Sequence, residues 1–458
     1  MATIMTAMTS DLYSHGRSDP EYYLPNHTAI EADLLAVPTV PLRKLGHFSC
    51  SAFYPAATHL YNEEGRPFLR CVDIVEYPII SNDQPFARIP TEFADAYSTI
   101  RHLKAGDIVI SKVGSPCFAS LLSTDMEDAA MTRTVLGMSS INTELVDPYY
   151  LIAFLRSRYG FDQLMREREL TIQYQLTLDR TRKVKVFTPP ITVQNQVGDI
   201  VRKYYQCLSE SKDSYTQAQQ LLESELWLDK LRFDKPVGYT ARFSVVGLSD
   251  SVSANRIDAQ CFSPEAVFYE DWLLKHANCD RLSLLLANIA KGRQQAEAET
   301  GTTDYCSIKH ITGREIVGAS KTCPSAGTPN ARKDDLLLAI TGATIGKIGI
   351  VNRYDNLIFS GDMLRLRANG SVNPHYLLLT LDHHLGQVQF NRWITGSTNG
   401  HLAPRDVGRV LVPRLAPEKE EQIAAMVAES LEKRQESEEL LDQAKSRVEQ
   451  LIEEAVQA

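Results

Sequence analysis

The chain repeats itself, and the register of the repeat constrains any fold it can adopt. "KAGDIVISKVGSP" at 104–116 parallels "RKDDLLLAITGAT" at 332–344, setting Asp107 over Asp335 and Gly114 over Gly342 at an offset of 228. "DPYYLIAFLRSRYG" at 147–160 parallels "NPHYLLLTLDHHLG" at 373–386, pairing Pro148 with Pro374, Tyr150 with Tyr376 and Gly160 with Gly386 at an offset of 226. "VQNQVGDIV" at 193–201 parallels "KEEQIAAMV" at 419–427 at 226 again. Two generic strand–turn–helix stretches would explain one such block, but not a register shared by three in the same order. The chain reads as a duplication.

Each half closes on a long helical pattern. Val197, Val201, Tyr204, Tyr215, Ala218 and Leu222 recur on one seam, and Ile423, Val427, Leu441, Ala444, Val448 and Ile452 on another. Pro189–Pro190 and Pro417 stand just upstream, where proline suits a helix start. Both patterns weaken at mid-length, at "SESKDS" and "RQESEE". Helices of about forty residues span roughly 60 Å and, being only half apolar, need a partner along their length. The duplicate helix is the nearest partner, giving a two-helix coiled coil; packing of each helix on its own half alone is the alternative.

Short apolar runs such as "DIVISKVG", "KVKVFTP", "DLLLAITG" and "RVLVPRL" read as strands, and "YYLIAFLRSRYGFDQLMRE" and "HYLLLTLDHHLGQVQFNRW" as helices. The expected class is therefore α+β and internally duplicated. The expected boundaries are a flexible lead over 1–19, a first domain at 20–190, a long helix at 191–235, a second domain at 236–414 and a second long helix at 415–458.

At 458 residues and 43% hydrophobic, the chain can bury several cores. No run of eighteen apolar residues offers a membrane span, and the first twenty residues lack the basic start and apolar centre of a secretory signal. The eight cysteines never form a C-x-x-C pair and read as reduced residues of a cytoplasmic protein. The net charge of −9 is unevenly spread: from Ala416 onward twelve acids oppose five bases, so −7 of it lies in the last segment. The remainder is close to neutral and free to present local basic faces.

Several chemistries are absent as motifs. "LLLAITGATIGKIGIV" at 336–351 has glycines and a lysine, but Gly342 and Gly346 enclose three residues rather than the four of a phosphate-binding P-loop. Ile348 follows Lys347 where a magnesium-binding hydroxyl belongs, and a strand rather than a helix follows Gly349. The loop reads as a tight strand-to-strand turn, with approach of its backbone to phosphate as an equal alternative. "TPPI" at 188–191 lacks the Asn and the aromatic of an amino-methyltransferase motif, and His383–His384 point about 100° apart on a helix, unsuited to one metal ion. No H-E-x-x-H or G-x-S-x-G occurs.

The residues resemble the specificity subunits of type I restriction–modification systems. The likeness lies in the Arg-x-Asp openings "RIDAQCFSP" at 256–264 and "RSDPEYYLP" at 17–25, the block "DLLLAITGATIGKIGIV", and "TGSTNGHLAPRDVGRVLVPRLAPEKEEQIA" at 395–424 leading through a Glu-Gln pair into a helix. It spans nearly the whole chain and is weaker in the first half, where "LTIQYQLTLDRTRKVKVFTPP" and "GSPCFASLL" depart from the pattern. The resemblance implies a chain without catalytic activity, in which two target recognition domains each read half of a split, asymmetric site on double-stranded DNA. It implies that the two helices form an antiparallel coiled coil, set the unread spacer and dock two methyltransferase subunits carrying S-adenosylmethionine. A motor–nuclease subunit using ATP and magnesium joins in restricting systems; the chain itself binds no cofactor. A rod of about 60 Å would cap the half-site separation at roughly 18 base pairs. A type IIB-like assembly, and a coiled-coil scaffold without DNA binding, are the competing readings.

Base edges are read by Arg, Lys, Asn and Gln, and phosphates by cations, hydroxyls and backbone N–H groups. On that chemistry the second domain offers Lys291, Arg293, Gln294 and Gln295 in "AKGRQQ", Thr341, Thr344 and Lys347 around the glycines, and Arg392, Ser397, Thr398, Asn399 and His401 in "NRWITGSTNGH". The first domain offers Arg70, Ser111, Lys112, Arg166, Arg168, Gln173 and Gln175. Each group has a structural alternative, a solvated loop or a turn. If these loops meet phosphates, DNA affinity measured between low and high salt should fall steeply on a log–log plot. A flat plot would remove the electrostatic part of the assignment.

Overall fold

The computed structural model describes residues 16–52, 58–62, 64–114, 117–170, 174–240, 256, 258–325, 327–396 and 399–458. The chain divides into two compact units, one drawn from residues 1–208 and 435–458, the other from 209–434. The division falls inside both long helices, Ile191–Glu225 and Pro417–Gln457.

In the first unit, "DIVIS" becomes the strand Ile108–Ser111, with all four residues buried. Successive side chains of a strand point to opposite faces, so an unbroken apolar run needs cover on both. Ile108 and Ile110 enter a core filled by Tyr150, Phe154 and Tyr159 from the helices Pro148–Arg156 and Arg158–Arg166. Val109 enters a separate core with Leu69, Leu103 and Met131. The strand is the middle of a five-stranded mixed sheet, in spatial order His47–Cys50, Val135–Ser139, Ile108–Ser111, Ala119–Leu122, Ile79–Ile80. A four-stranded sheet, in order Arg88–Ile89, Arg66–Leu69, Ala129–Met131, His102–Leu103, covers its other face.

The second unit repeats this plan. Its larger sheet runs Leu286–Lys291, Met363–Ala368, Leu336–Ala339, Ile348–Ile350, Glu315–Ile316, with Ile311–Thr312 added at the edge. Its smaller sheet runs Ser320–Thr322, Thr303–Cys306, Leu357–Phe359, Asn330–Ala331. Leu336 and Leu338 face the helix-filled core, and Leu337 and Ala339 face Cys306 and Phe359. The parallel pairings fall at the same places in both units. The fold is α+β and internally duplicated.

Polar anchors recur at the offsets read from the sequence. Tyr150 Oη donates to the Phe187 carbonyl at 2.8 Å, and Tyr376 Oη to the Pro413 carbonyl at 2.8 Å. Gln163 bonds both the N–H and the carbonyl of Lys185, at 3.0 and 2.9 Å, and Gln389 does the same to Leu411 at 2.7 and 3.0 Å. Each Arg-x-Asp opening is tied down: Arg17 pairs with Asp19 at 2.6 Å and donates to the Arg168 carbonyl at 2.7 Å. Arg256 pairs with Asp258 at 2.7 Å and donates to the Ile394 carbonyl at 3.0 Å. Gly160 and Gly386 stand where a helix breaks and restarts; a Cβ there would lie 2.1 Å from the Phe154 carbonyl oxygen or 2.5 Å from that of Leu381.

The long helices have 35 and 41 residues, or roughly 52 and 62 Å at 1.5 Å per residue. The first stops at Glu225, short of the 235 expected, because Trp227 takes a left-handed conformation (φ 54°) that ends an α-helix. In the second unit, Glu225 pairs with Lys419 at 2.9 Å and Glu210 with Lys433 at 3.2 Å, so the two segments run in opposite directions. Ser211 and Ser430 are buried there and each donates to the other's carbonyl at 2.7 Å, so the helix runs unbroken through the polar interruption "SESKDS" with Ser211 turned into the packing. In the first unit Val197, Val201 and Tyr204 share a core with Ala444, Val448 and Ile452, and Lys203 pairs with Glu436 at 2.9 Å. No helix among the described residues is long and apolar enough to cross a membrane.

The buried glutamine offers a stability test. Gln389→Leu leaves the N–H and carbonyl of Leu411 without their partner and should destabilise by about 2–3 kcal/mol. Hydrogen exchange should show the loss of protection in the strand Leu411–Arg414; wild-type protection there would show that the amide holds nothing.

Candidate nucleic-acid interface

The glycine-rich loop joins the antiparallel strands Leu336–Ala339 and Ile348–Ile350 through a short 3-10 turn at Gly342–Thr344. Gly342 (φ +71°) and Gly346 (φ +92°) occupy the left-handed region that disfavours side chains. Gln387 Nε2 donates to the Gly346 carbonyl at 3.0 Å, and a Cβ on Gly346 would lie 2.4 Å from Gln387 Oε1. The loop is thus a hairpin pinned from a helix, with no helix N-terminus behind it to receive a nucleotide phosphate.

Three segments of the second unit meet at this turn. Thr341 bridges His401, while the Ile340 N–H donates to Asp362 and the Leu402 N–H to Ile340. The Thr341 hydroxyl donates to Asp362 Oδ1 at 2.9 Å, and the Ser360 hydroxyl lies 3.0 Å from Gln294 Oε1. The Arg293 N–H donates to the Phe359 carbonyl at 3.0 Å. Gln295 reaches Ser325 and Thr328 with its amide at 3.2 and 3.3 Å. Lys291, Arg293, Gln294, Thr344, Lys347 and Asn399 are exposed, and Gln295, Thr341 and His401 half-buried. The nominated residues around 291–295, 341–347 and 399–401 therefore lie along one polar edge with three exposed cations, beside the exposed carboxylate of Asp362. Nearby Lys309 and Lys321 are already paired, with Glu297 and Asp304, both at 2.8 Å. The Lys309 ammonium holds the Glu297 carboxyl below its ordinary range.

The first unit builds the same junction. The Lys112 N–H donates to Thr134 at 2.8 Å, the Leu176 N–H donates to Lys112 at 3.0 Å, and Val113 bridges Gln175. These correspond to the bonds through Ile340, Asp362, Leu402, Thr341 and His401 at offsets of 228 and 226. Lys112 and Gln175 are half-buried on this edge. Arg133, exposed between Thr132 and Thr134, belongs to it as well, as do Ser360 and Asp362 in the second unit. Residue-type reasoning passed over all three. The signal was available: "TRT" at 132–134 and "SGD" at 360–362 stand at the repeat offset of 228, each leading into a strand.

Of the other nominated residues, Ser111, Arg166 and Arg392 face inward, and Arg70 and Arg168 are half-buried and engaged with neighbouring side chains. Ser111 is fully buried, its hydroxyl accepting from the Phe118 N–H at 3.0 Å. Arg166 and Arg392, 8% and 3% exposed, are equivalent anchors. Arg166 donates to the Tyr22 carbonyl at 2.9 Å and pairs with Glu31 at 2.8 Å; Arg392 donates to the Cys261 carbonyl at 2.7 Å and pairs with Glu270. Both tie a helix to the segment after the Arg-x-Asp opening, a task invisible to a search for cations. Arg70 forks onto Asp73 at 2.8 Å, and the Asp73 carboxylate also accepts from the Arg70 backbone N–H at 2.8 Å at the start of the short helix Cys71–Glu76. Arg168 lies over the Tyr174 ring at 4.3 Å, beside a cavity of about 390 Å³ that also contains Asp19, Glu21 and His27. Burial pushes the His27 imidazole below its ordinary range, so it adds little positive charge there. Gln173, Ser397 and Thr398 lie outside the described residues.

No protein-family model matches this chain, and no curated protein matches it. Among solved structures, it is similar to a type I restriction–modification S subunit from M. genitalium at 12% identity, covering 91% of this chain and 95% of that one with a TM-score of 0.44. It is similar to the HsdS subunit from Thermoanaerobacter tengcongensis at 15% identity, covering 92% and 95%, with a TM-score of 0.29. A chain from a structure on complex assembly and conformational transition of the type I R-M system matches at 13% identity over 92% and 96%, with a TM-score of 0.31. Such identities establish no correspondence of individual residues.

The geometry separates two kinds of arginine and lysine. If this edge meets phosphate, Arg293→Ala and Lys347→Ala should weaken DNA binding about equally on every sequence and lower the slope of affinity against salt by about one each. Arg392→Ala should instead lower stability by about 2–3 kcal/mol, by leaving Glu270 and the Cys261 carbonyl unpaired. Chemical denaturation beside a salt titration distinguishes them, and an unstable Lys347→Ala with unchanged salt slope would overturn the sorting.

Proposed function

We propose that this chain is the non-catalytic, sequence-specific DNA-recognition subunit of a type I restriction–modification complex. One observation carries the reading: two units of the same architecture build the same backbone junction and furnish it with different side chains. The first unit has Lys112, Val113, Thr134 and Gln175 where the second has Ile340, Thr341, Asp362 and His401. Equal scaffolds with unequal polar edges are what reading two different half-sites requires, since base edges are distinguished by donor and acceptor pattern. The site would then be bipartite and asymmetric. The exposed cations Lys291, Arg293 and Lys347 would supply contacts to phosphate, which position a protein without specifying sequence.

The second long helix concentrates acidity, −7 over the residues from Ala416, on a surface unsuited to DNA and suited to protein partners. Two methyltransferase subunits would dock there and carry S-adenosylmethionine; in a restricting complex a motor–nuclease subunit would bring ATP and magnesium. All would work in the cytoplasm, with this chain supplying the address.

Single-molecule methylome sequencing of the native host, with and without this gene, tests the reading. Loss of one split, asymmetric motif from both strands is expected, and gives the half-sites and spacer directly. An unchanged methylome, with the neighbouring methyltransferase shown to be expressed, would remove the modification role and favour a scaffold.

A further inference from the structure

Asp362 is the feature of the polar edge that phosphate binding does not account for. It is an exposed carboxylate on an edge otherwise furnished with exposed Lys291, Arg293 and Lys347. Beside a polyanion, a carboxylate is unfavourable unless it meets a hydrogen-bond donor. Its surroundings hold it in place without neutralising it. Thr341 donates to Oδ1 at 2.9 Å, and the Asp362 N–H donates to the Ser360 hydroxyl at 3.1 Å. The Ser360 hydroxyl also lies 3.3 Å from Oδ2, but its single proton is shared between that oxygen and Gln294 Oε1 at 3.0 Å. Among the described residues no cation pairs with Asp362. A carboxylate has about four acceptor positions, so about half of its accepting capacity is unused.

We propose that Asp362 is a specificity-determining residue that accepts a hydrogen bond from the exocyclic amine of a cytosine in the half-site read by the second unit. The inference rests on the DNA-recognition reading given above. Only donors suit a carboxylate. In the major groove guanine offers two acceptors, thymine an acceptor and a methyl group, and adenine an amine beside an acceptor. Cytosine alone presents the amine without an adjoining acceptor on the same base. Asp362 also occupies the position of Thr134 in the first unit, where the equivalent backbone bond runs from Lys112. A hydroxyl can donate as well as accept, so the same scaffold carries different readout chemistry in its two halves.

The test measures the full-length chain, with its cognate methyltransferase, against duplexes varied one base pair at a time through both half-sites. Asp362→Asn keeps size and exchanges part of the accepting capacity for donors; Thr341→Val removes the hydroxyl that orients the carboxylate. At one cytosine of one half-site, Asp362→Asn should lose discrimination by about tenfold to a hundredfold, with adenine gaining most, as an amide can pair bidentately with adenine. Thr341→Val should weaken preference at that same position, and the other half-site should be unaffected in both. A change uniform over all sequences, whether partial or complete, would assign Asp362 to loop structure and overturn the proposal. Unchanged preference would overturn it too. If the wild-type complex shows no sequence preference at all, the DNA-recognition reading falls first and this inference with it.

Discussion

A strand with apolar side chains on both faces must be covered on both faces, and the architecture of each unit follows from meeting that demand. Ile108–Ser111 and Leu336–Ala339 send alternate residues into two separate cores. Helices close one side and a small sheet closes the other. Neither strand could lie at a surface without exposing a row of large aliphatic groups. Covering the strand on two sides leaves its ends as the places where polar chain can emerge. The candidate interface stands at such an end, at Lys112 in one unit and at Thr341 in the other.

The duplication has been preserved in its anchors and relaxed at its edges. Tyr150 and Tyr376, Gln163 and Gln389, and Arg166 and Arg392 make the same bonds to equivalent backbone groups. Each satisfies a main-chain group whose exposure to an apolar surrounding would be unfavourable, so substitution is penalised directly. Apart from the buried Ser360, the residues on the polar edge touch solvent, so packing constrains their chemistry less. That contrast separates the parts of each unit that hold shape from the parts available for recognition.

The repeat, the strand and helix types, and the helix seam were all legible before any coordinates. Val197, Val201, Ala444 and Val448 were on the expected seam and are buried. The reason is periodicity: burial against a helix or a sheet face leaves a regular apolar trace. The end of the first long helix was misjudged, because Trp227 ends it through a backbone conformation that its residue type does not announce. The candidate site was legible only in part. "AKGRQQ" and the glycine-rich turn do converge, yet Arg166, Arg392 and Ser111 point inward. A cation in a loop and a cation anchoring a carbonyl look identical as letters.

What the amino-acid sequence determined by itself is the duplicated α+β plan, since repeat register and hydrophobic period are properties of the chain read along its length. What only the tertiary structure decided is which polar residues share an edge. Gln294, Ser360, Asp362, Thr341 and His401 come from four segments, brought together by strand pairing and backbone bonds. Such proximity depends on the closure of the sheets, which sums over many contacts distant in sequence. The same closure chose between solvent and interior for each arginine, because a guanidinium turns inward only where a carbonyl and a carboxylate are already placed to receive it.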